Sequence, residues 1–360
     1  MDVLHHFDGG VPAPFDIVDD QVTFDLRPDR HVLHVLLRGT RPGVRVSLNV
    51  GEKTAQFVAD QGLLVSRDGL RYEALPFDQS APGRLSVGLD EGGDVYVATA
   101  PPYGRDNLDR LLTETRTAPD LAVRLLGSGG RATPLFLFGR EAAGRPVHWF
   151  IGGEDAWECA GSWVADAMVR ELASGGDLAR RLLDRAAVRI VPLPSPYSAT
   201  QPAASYTTLE GRGLYAAATW GDGQPPPEFA RLRDEVVSTV RQGRLGLLLT
   251  IHSWHAARDL SGMEFIRTAG ATEITGARLE WAKQTLETLI RGVPKGRAHV
   301  AEKIWHPGLA RDYLLAEHGA VTFRIEITTC GQLYQGFAGT ARHLLENTAA
   351  VTDWGPALPR

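Results

Sequence analysis

Cysteine is the scarcest residue type: two occur in 360 residues, which excludes a disulfide framework. Cys159 and Cys330 read as small buried thiols, even though both flank segments of interest below. Basic side chains are also in short supply. Lys and Arg number 38 against 43 Asp and Glu, for a net charge of -5, and no Lys/Arg-rich block forms the electrostatic footprint of a nucleic-acid binder. Long apolar runs are missing as well. None approaches the roughly 20 residues needed to cross a bilayer, and Met1-Asp-Val-Leu-His-His-Phe-Asp8 has neither a basic nor an apolar leader pattern. The expected address is the cytoplasm, and the expected partner is a small molecule or peptide rather than nucleic acid or membrane. What is present, 43% hydrophobic and 22% charged residues, suffices for a packed core, and the length allows two domains.

Two textures divide the chain. From about 22 to 100, short apolar stretches at 22–26, 32–37, 44–48, 85–89 and 95–98 alternate with turn signals such as Arg-Pro-Asp, Arg-Pro-Gly and Glu-Gly-Gly, which predicts an antiparallel β-sandwich. A helical pattern follows at 107–117. Beyond 130 the order becomes strand, helix, strand, helix, with apolar runs at 135–138, 146–151, 188–193, 247–254 and 321–328. Helical periodicity appears at 163–172, 177–187, 228–242 and 273–291. This predicts an α/β domain with a mixed, mostly parallel twisted sheet and helices on both faces, its ligands gathering outside the carboxyl ends of the strands. We place the division at 1–115 and 116–360. Residues 194–227, rich in Pro, Ser, Ala, Gly and Thr, form too long a connector to be casual and are expected to shape a substrate pocket.

Chemistry-bearing residues sit at those strand ends. Asp155 and Glu158 stand three apart where the 146–151 strand gives way to a helix, a spacing that can close on one cation. The same pair also suits capping and dipole compensation. His252, at the end of the 247–254 strand, is a candidate third ligand, with His255 a competitor. Glu326 lies in the apolar middle of the 321–328 strand, where a carboxylate is costly without a partner or a task. Two carboxylates and an imidazole around a metal, with a further carboxylate as base, make up the inventory of metal-assisted hydrolysis. The lesser alternative for Glu326 is a structural ion pair, with Arg324 as partner.

Several passages, in order, carry a resemblance: Val95-Tyr-Val-Ala-Thr-Ala-Pro-Pro-Tyr-Gly104, Gly152-Gly-Glu-Asp-Ala-Trp-Glu-Cys-Ala-Gly-Ser-Trp-Val164, Val188-Arg-Ile-Val-Pro-Leu193, Leu249-Thr-Ile-His-Ser-Trp254 and Phe323-Arg-Ile-Glu-Ile-Thr-Thr-Cys-Gly331. Together they are similar to the zinc carboxypeptidase family, and to its cytosolic carboxypeptidase branch, over nearly the whole chain. The resemblance implies that Glu158 and His252 are zinc ligands and that Glu326 is the general base. Asp155 stands where the family has histidine. A carboxylate oxygen has the reach of histidine Nδ1, but the site charge drops from about plus one to about zero, so a water is acidified less. A harder divalent metal, manganese or iron, then becomes an alternative to zinc.

Recognition residues depart further from the family. Aligning Ser205-Tyr-Thr-Thr-Leu-Glu-Gly-Arg-Gly-Leu-Tyr-Ala216 with its substrate-binding passage puts Tyr206 at the oxyanion arginine and Tyr215 with Ala216 at the Asn-Arg pair. Arg212 is near enough in sequence to fill the gap. Arg324, two before Glu326, faces the same way on a strand, toward the family's side-chain pocket, and would select an anionic group. Trp254 and Trp157 either line the pocket or pack. The expectation is a metal-dependent hydrolase of carboxypeptidase fold acting on an amide of a small or modified amino-acid or peptide derivative. The alternative is a repurposed, non-catalytic member that binds a ligand or partner.

Overall fold

A computed structural model of the chain describes residues 1–7, 10, 13–26, 33–51, 58, 62–129, 132–154, 158–194, 207–209, 212–214, 220–221, 225, 227–254, 263–268, 274–292, 297–300, 308–328 and 334–351. For 79–81, 207–209, 212–214, 254, 263–268, 297–300, 328 and 334–335 it describes the backbone alone.

The N-terminal part is two five-stranded sheets. One runs β1 (Asp2–Leu4), β4 (His34–Thr40), β10 (Gly93–Ala98), β6 (Leu63–Ser66), β7 (Glu73–Leu75). The other runs β2 (Phe15–Val18), β3 (Gln21–Asp25), β5 (Arg45–Asn49), β9 (Arg84–Gly88), β8 (Asp78–Ala81). Alternation along each strand sends Val35 and Leu37 from one sheet, and Val22, Phe24, Val46 and Leu48 from the other, into a common core. The pairing is antiparallel except between β3 and β5, which is parallel.

An eight-stranded mixed sheet follows, in the order β11 (Leu121–Leu126), β12 (Thr133–Phe138), β14 (Ala187–Val191), β13 (Val147–Gly152), β17 (Leu245–Trp254), β20 (Phe323–Thr328), β18 (Met263–Thr268), β19 (Arg297–Val300). Its centre, β14-β13-β17-β20, is parallel. A short hairpin joins β15 (Thr207–Leu209) to β16 (Arg212–Leu214). The described helices are α1 (Arg105–Thr115), α2 (Cys159–Ala173), α3 (Asp177–Leu183), α4 (Pro227–Arg241), α5 (Gly276–Leu289), α6 (Ala310–His318) and α7 (Tyr334–Ala350). None of them is long and apolar enough to cross a membrane.

Central strands buried on both faces read as continuous apolar runs, and β17 shows how the two faces divide. Leu247, Leu249 and Ile251 pack with α2, α3, α5 and α7. Leu248 joins Trp149, Ile151, Trp220, α4 and α6 on the opposite face. By period two, Thr250 and His252 lie on this second face, as do Arg324 and Glu326 of β20. Helix α1 sends Leu108 and Leu111 into the first core. Beside it, Tyr103 donates to Asp166 of α2 at 2.9 Å, and the Trp163 indole donates to the Pro102 carbonyl at 3.2 Å.

Glycine lets α2 lie close on the sheet. A Cβ at Gly161 would overlap the carbonyl oxygen of Ile251 in β17, and one at Gly152 would overlap the carbonyl of Gly161. Gly161→Ala gains about 1 kcal/mol of helix propensity but must separate two backbones, which costs more, about 1–3 kcal/mol. Urea unfolding should therefore show a net loss of stability, and an unchanged or raised midpoint would contradict this packing.

His148 in β13 is fully buried, and burial, with Arg185 nearby, pushes its imidazole down to about 3. The folded ring stays neutral where the unfolded one, with its ordinary value near 6.5, takes a proton. The unfolded state thus binds more protons below pH 6.5, and stability falls as pH drops from 6.5 toward 3. The full effect is on the order of 5 kcal/mol. Urea unfolding of the parent and His148→Phe at pH 7 and 4.5 should show a shallower acid loss in the variant; parallel losses would contradict the assignment.

Candidate active site

Strand β13 ends at Gly152, and the chain turns at Gly153 with φ +56°, on which a Cβ would strike Ser162. The positive φ suits only glycine without strain. Beyond this turn Glu154 and Glu158 face the carboxyl ends of β13 and β17. Glu158 is the N-cap of α2, yet its side chain makes no capping hydrogen bond. Its Oε2 instead accepts the backbone N–H of Ser253 at 3.1 Å and stands 2.6 Å from Nδ1 of His252.

The other nitrogen of that ring, Nε2, is 2.9 Å from Glu154 Oε2. An ionised carboxylate can only accept, so Nε2 donates. Glu154 Oε1 in turn accepts the indole N–H of Trp220 at 2.7 Å. Glu154 and Glu158 are 3% exposed and His252 1%. Buried carboxylates at this depth demand partners, and these have them.

The parallel register of β17 and β20 sets His252 opposite Glu326 and Thr250 opposite Arg324. Residues paired this way share a face of the sheet. Arg324 Nη2 donates to Glu326 Oε1 at 2.7 Å, both side chains being buried. The ion pair left open by the sequence is thus made. Glu326 Oε2 has no hydrogen-bond partner among the described residues.

Four residues expected from the sequence, Glu158, His252, Arg324 and Glu326, are therefore brought to one end of the parallel strands. Asp155, Tyr206 and Tyr215 lie outside the described residues, as do Trp157, His255 and Cys330. Arg212 sits on β16 and Trp254 ends β17, with their backbones alone described. Cys159 is buried and burial pushes its thiol up to about 11, as befits an inert packing residue. The residues missed from sequence are Glu154, Trp220 and Ser253. The only signal for Glu154 was the adjacency of two acids, and the three-residue spacing to Glu158 favoured Asp155.

Among the described residues no three His, Cys, Asp or Glu side chains are arranged to hold a metal ion. Glu154 and Glu158 take opposite nitrogens of one ring, and the sequence-expected third ligand, Asp155, lies outside the described residues. The donor set nonetheless fits a divalent cation as two of its ligands. A buried carboxylate that makes no capping bond faces a ring nitrogen at 2.6 Å, and a second carboxylate oxygen with no hydrogen-bond partner among the described residues, Glu326 Oε2, stands on the neighbouring strand.

No family model matches the chain, and no curated protein matches it. Solved structures do. A metallo-carboxypeptidase from Burkholderia cenocepacia superposes with a TM-score of 0.79 at 20% identity, covering 97% of each chain. One from Pseudomonas aeruginosa, in complex with (2-guanidinoethylmercapto)succinic acid, gives 0.79 at 19% identity over 97% of this chain and 98% of that one. Carboxypeptidase A from Helicoverpa armigera gives 0.55 at 13% identity, over 69% of this chain and 74% of its own. At these identities the likeness is one of fold: over nearly its whole length the chain is folded as the two bacterial metallo-carboxypeptidases are.

Proposed function

We propose that the chain is a cytoplasmic hydrolase of the zinc carboxypeptidase family, similar to its cytosolic branch, that cleaves an amide bond in a small or modified amino-acid or peptide derivative. The observation that carries this reading is the convergence at one strand end. Glu158 Oε2 lies 2.6 Å from His252 Nδ1, and Glu326 is the register partner of His252. Asp155, Glu158 and His252 hold one divalent ion, zinc or a harder metal. When bound, it supplies a Lewis acid that polarises the scissile carbonyl.

The rest is done by the chain's own groups. Glu326 takes the proton of the attacking water on Oε2 as the water oxygen bonds to the carbonyl carbon, and delivers it to the leaving amine as the C–N bond breaks. Arg324 holds Oε1 at 2.7 Å, so the second oxygen keeps a fixed direction. A guanidinium has five N–H donors. Arg324 can therefore hold Glu326 and still engage an anionic side chain of the substrate, which makes acidic derivatives the favoured class. Tyr206 donates to the oxyanion, and Arg212, Tyr215 and Trp254 line the substrate site. Without the family's oxyanion arginine and Asn-Arg pair, a free carboxyl terminus is not gripped, which argues against general protein tails. The division into a sandwich of 1–115 and a catalytic domain of 116–360 belongs to the same reading.

One observation favours a second reading, ligand binding without hydrolysis. His252 has a carboxylate at each nitrogen and Glu326 is engaged by Arg324, a set of contacts that can close on itself. A panel of N-acyl amino acids with acidic, basic and apolar side chains, incubated with metal-loaded protein, separates the two. Hydrolysis of the acidic members at least about tenfold faster, abolished as a preference by Arg324→Ala, supports the proposal. Indifference to side-chain charge ends the anionic pocket, and no turnover of any member by loaded protein favours the second reading.

A further inference from the structure

We infer that Glu154 is a positioning residue for His252. It holds Nε2 as the hydrogen-bearing nitrogen and so commits Nδ1, on the Glu158 side, to a cation. The inference rests on the proposed metal site and adds to it a residue that lies outside the ligand set.

Glu154 is 3% exposed just beyond a strand whose residues are buried, and a carboxylate there is costly without partners. Each oxygen has one partner of a different kind. Oε1 takes the Trp220 indole N–H at 2.7 Å, and Oε2 meets His252 Nε2 at 2.9 Å. An indole nitrogen can only donate and an ionised carboxylate can only accept. An ionised Glu154 thus accepts at both oxygens, from the indole at Oε1 and from an imidazole N–H at Oε2.

Trp220 is itself held. It is 2% exposed and packs with Trp149, Ile151 and Leu232. Its backbone N–H donates to Gly308 at 2.8 Å, and its carbonyl accepts from Arg233 at 3.0 Å. A fixed indole fixes the carboxylate plane, and the carboxylate fixes the ring. At the far side of the ring, Nδ1 stands 2.6 Å from Glu158 Oε2. With the hydrogen kept at Nε2, Nδ1 offers a lone pair toward an anionic oxygen, an arrangement that is stable only with a cation between them. At 2.6 Å a proton fills that place; a metal ion would take it once the two atoms part to about 3.3 Å, and Glu154 is what makes Nδ1 the nitrogen that would bind it. Carboxylates placed behind a histidine in this way orient the ring and raise its donor strength.

Two measurements test the inference. The first is the dissociation constant of Zn²⁺, and of Co²⁺ by its visible absorption, for the folded parent, Glu154→Ala, Glu154→Gln and Trp220→Phe. We expect a loss of about 10–100-fold for Glu154→Ala. A smaller loss is expected for Glu154→Gln, whose amide oxygen still accepts from Nε2, and the smallest for Trp220→Phe. A merely structural Glu154 would lower thermal stability and leave the affinity of the folded fraction at the parent value, and that result overturns the inference.

The second measurement needs no metal. Protein labelled with ¹⁵N at histidine should show a strongly downfield Nε2–H proton for His252, assigned by His252→Gln, that is retained in Glu154→Gln and lost in Glu154→Ala. If the parent binds no metal but this signal behaves as described, the metal site fails and the positioning role stands. If the signal is missing in the parent or indifferent to Glu154, the positioning role fails, whatever the metal does. Should Glu154→Ala not fold, Glu154→Gln and Trp220→Phe decide through the affinity order alone, and parent-like values in both overturn the inference.

Discussion

Glu326→Gln lowers turnover of a hydrolysed amide by about 10²–10⁴-fold, the contribution expected of a positioned general base, while metal content and KM stay close to the parent values. The substitution is chosen for what it keeps. The amide oxygen of glutamine still accepts from Arg324 Nη2, which now meets Glu326 Oε1 at 2.7 Å, so the buried guanidinium retains a partner and the fold persists. What disappears is the oxygen able to take a proton, the one with no hydrogen-bond partner among the described residues. Turnover that survives this change intact removes Glu326 from the base role and leaves it as the counter-ion of Arg324. Steady-state kinetics with elemental analysis of the same preparation distinguishes the outcomes.

His252→Ala has the second large expected effect, and it acts on two quantities. The ring lies between Glu154 Oε2 and Glu158 Oε2, at 2.9 and 2.6 Å. Its removal leaves two buried carboxylates facing a void, Glu154 still accepting from Trp220 and Glu158 from Ser253. Removing one member of a buried ionic contact costs about 3–5 kcal/mol. The variant should therefore unfold at markedly lower urea than the parent even when both are measured in chelator, where metal contributes nothing. Its bound metal should fall from about one ion per chain to near zero, since structural and catalytic zinc sites depend on three or four ligands. Loss of stability with metal retained would mean that His252 is a core ion-pair residue only.

How much of this was legible in the sequence differs by element. The central strands were, because a strand covered on both faces reads as a short continuous apolar run. Residues 146–151 and 321–328 became β13 and β20 within two residues at either end. The edges were not. β11 carries Val123 and Leu125 at 41% and 59% exposure, so its apolar residues do not mark a buried face. The edge strands β7 and β8 are short, and Arg, Asp and Glu lie in and around them. Helix α2 starts four residues earlier than its periodicity implied, at Cys159 rather than 163, because Gly161 gives no apolar signal while it lets the helix close on β17.

The site divides in the same way. His252, Glu326 and Arg324 were readable because strand period fixes the face of each, and Glu158 because of its place at a helix start. Glu154 was not. Glu154 is turned toward His252 beyond the φ +56° turn at Gly153, and a backbone rotation leaves no trace in side-chain spacing. Trp220 was hidden for a related reason. It comes from the Pro- and Gly-rich connector, where no periodicity says which side chain returns to the core.

The most direct test of the central claim is crystallography of protein grown with Zn²⁺ and collected across the zinc edge. A single anomalous peak of about full occupancy is expected, bonded at roughly 2.0–2.2 Å to His252 Nδ1, to Glu158 and to Asp155, with Glu154 on Nε2. An anomalous map without a peak there, and with Nδ1 still against Glu158 and Asp155 turned away, would contradict it.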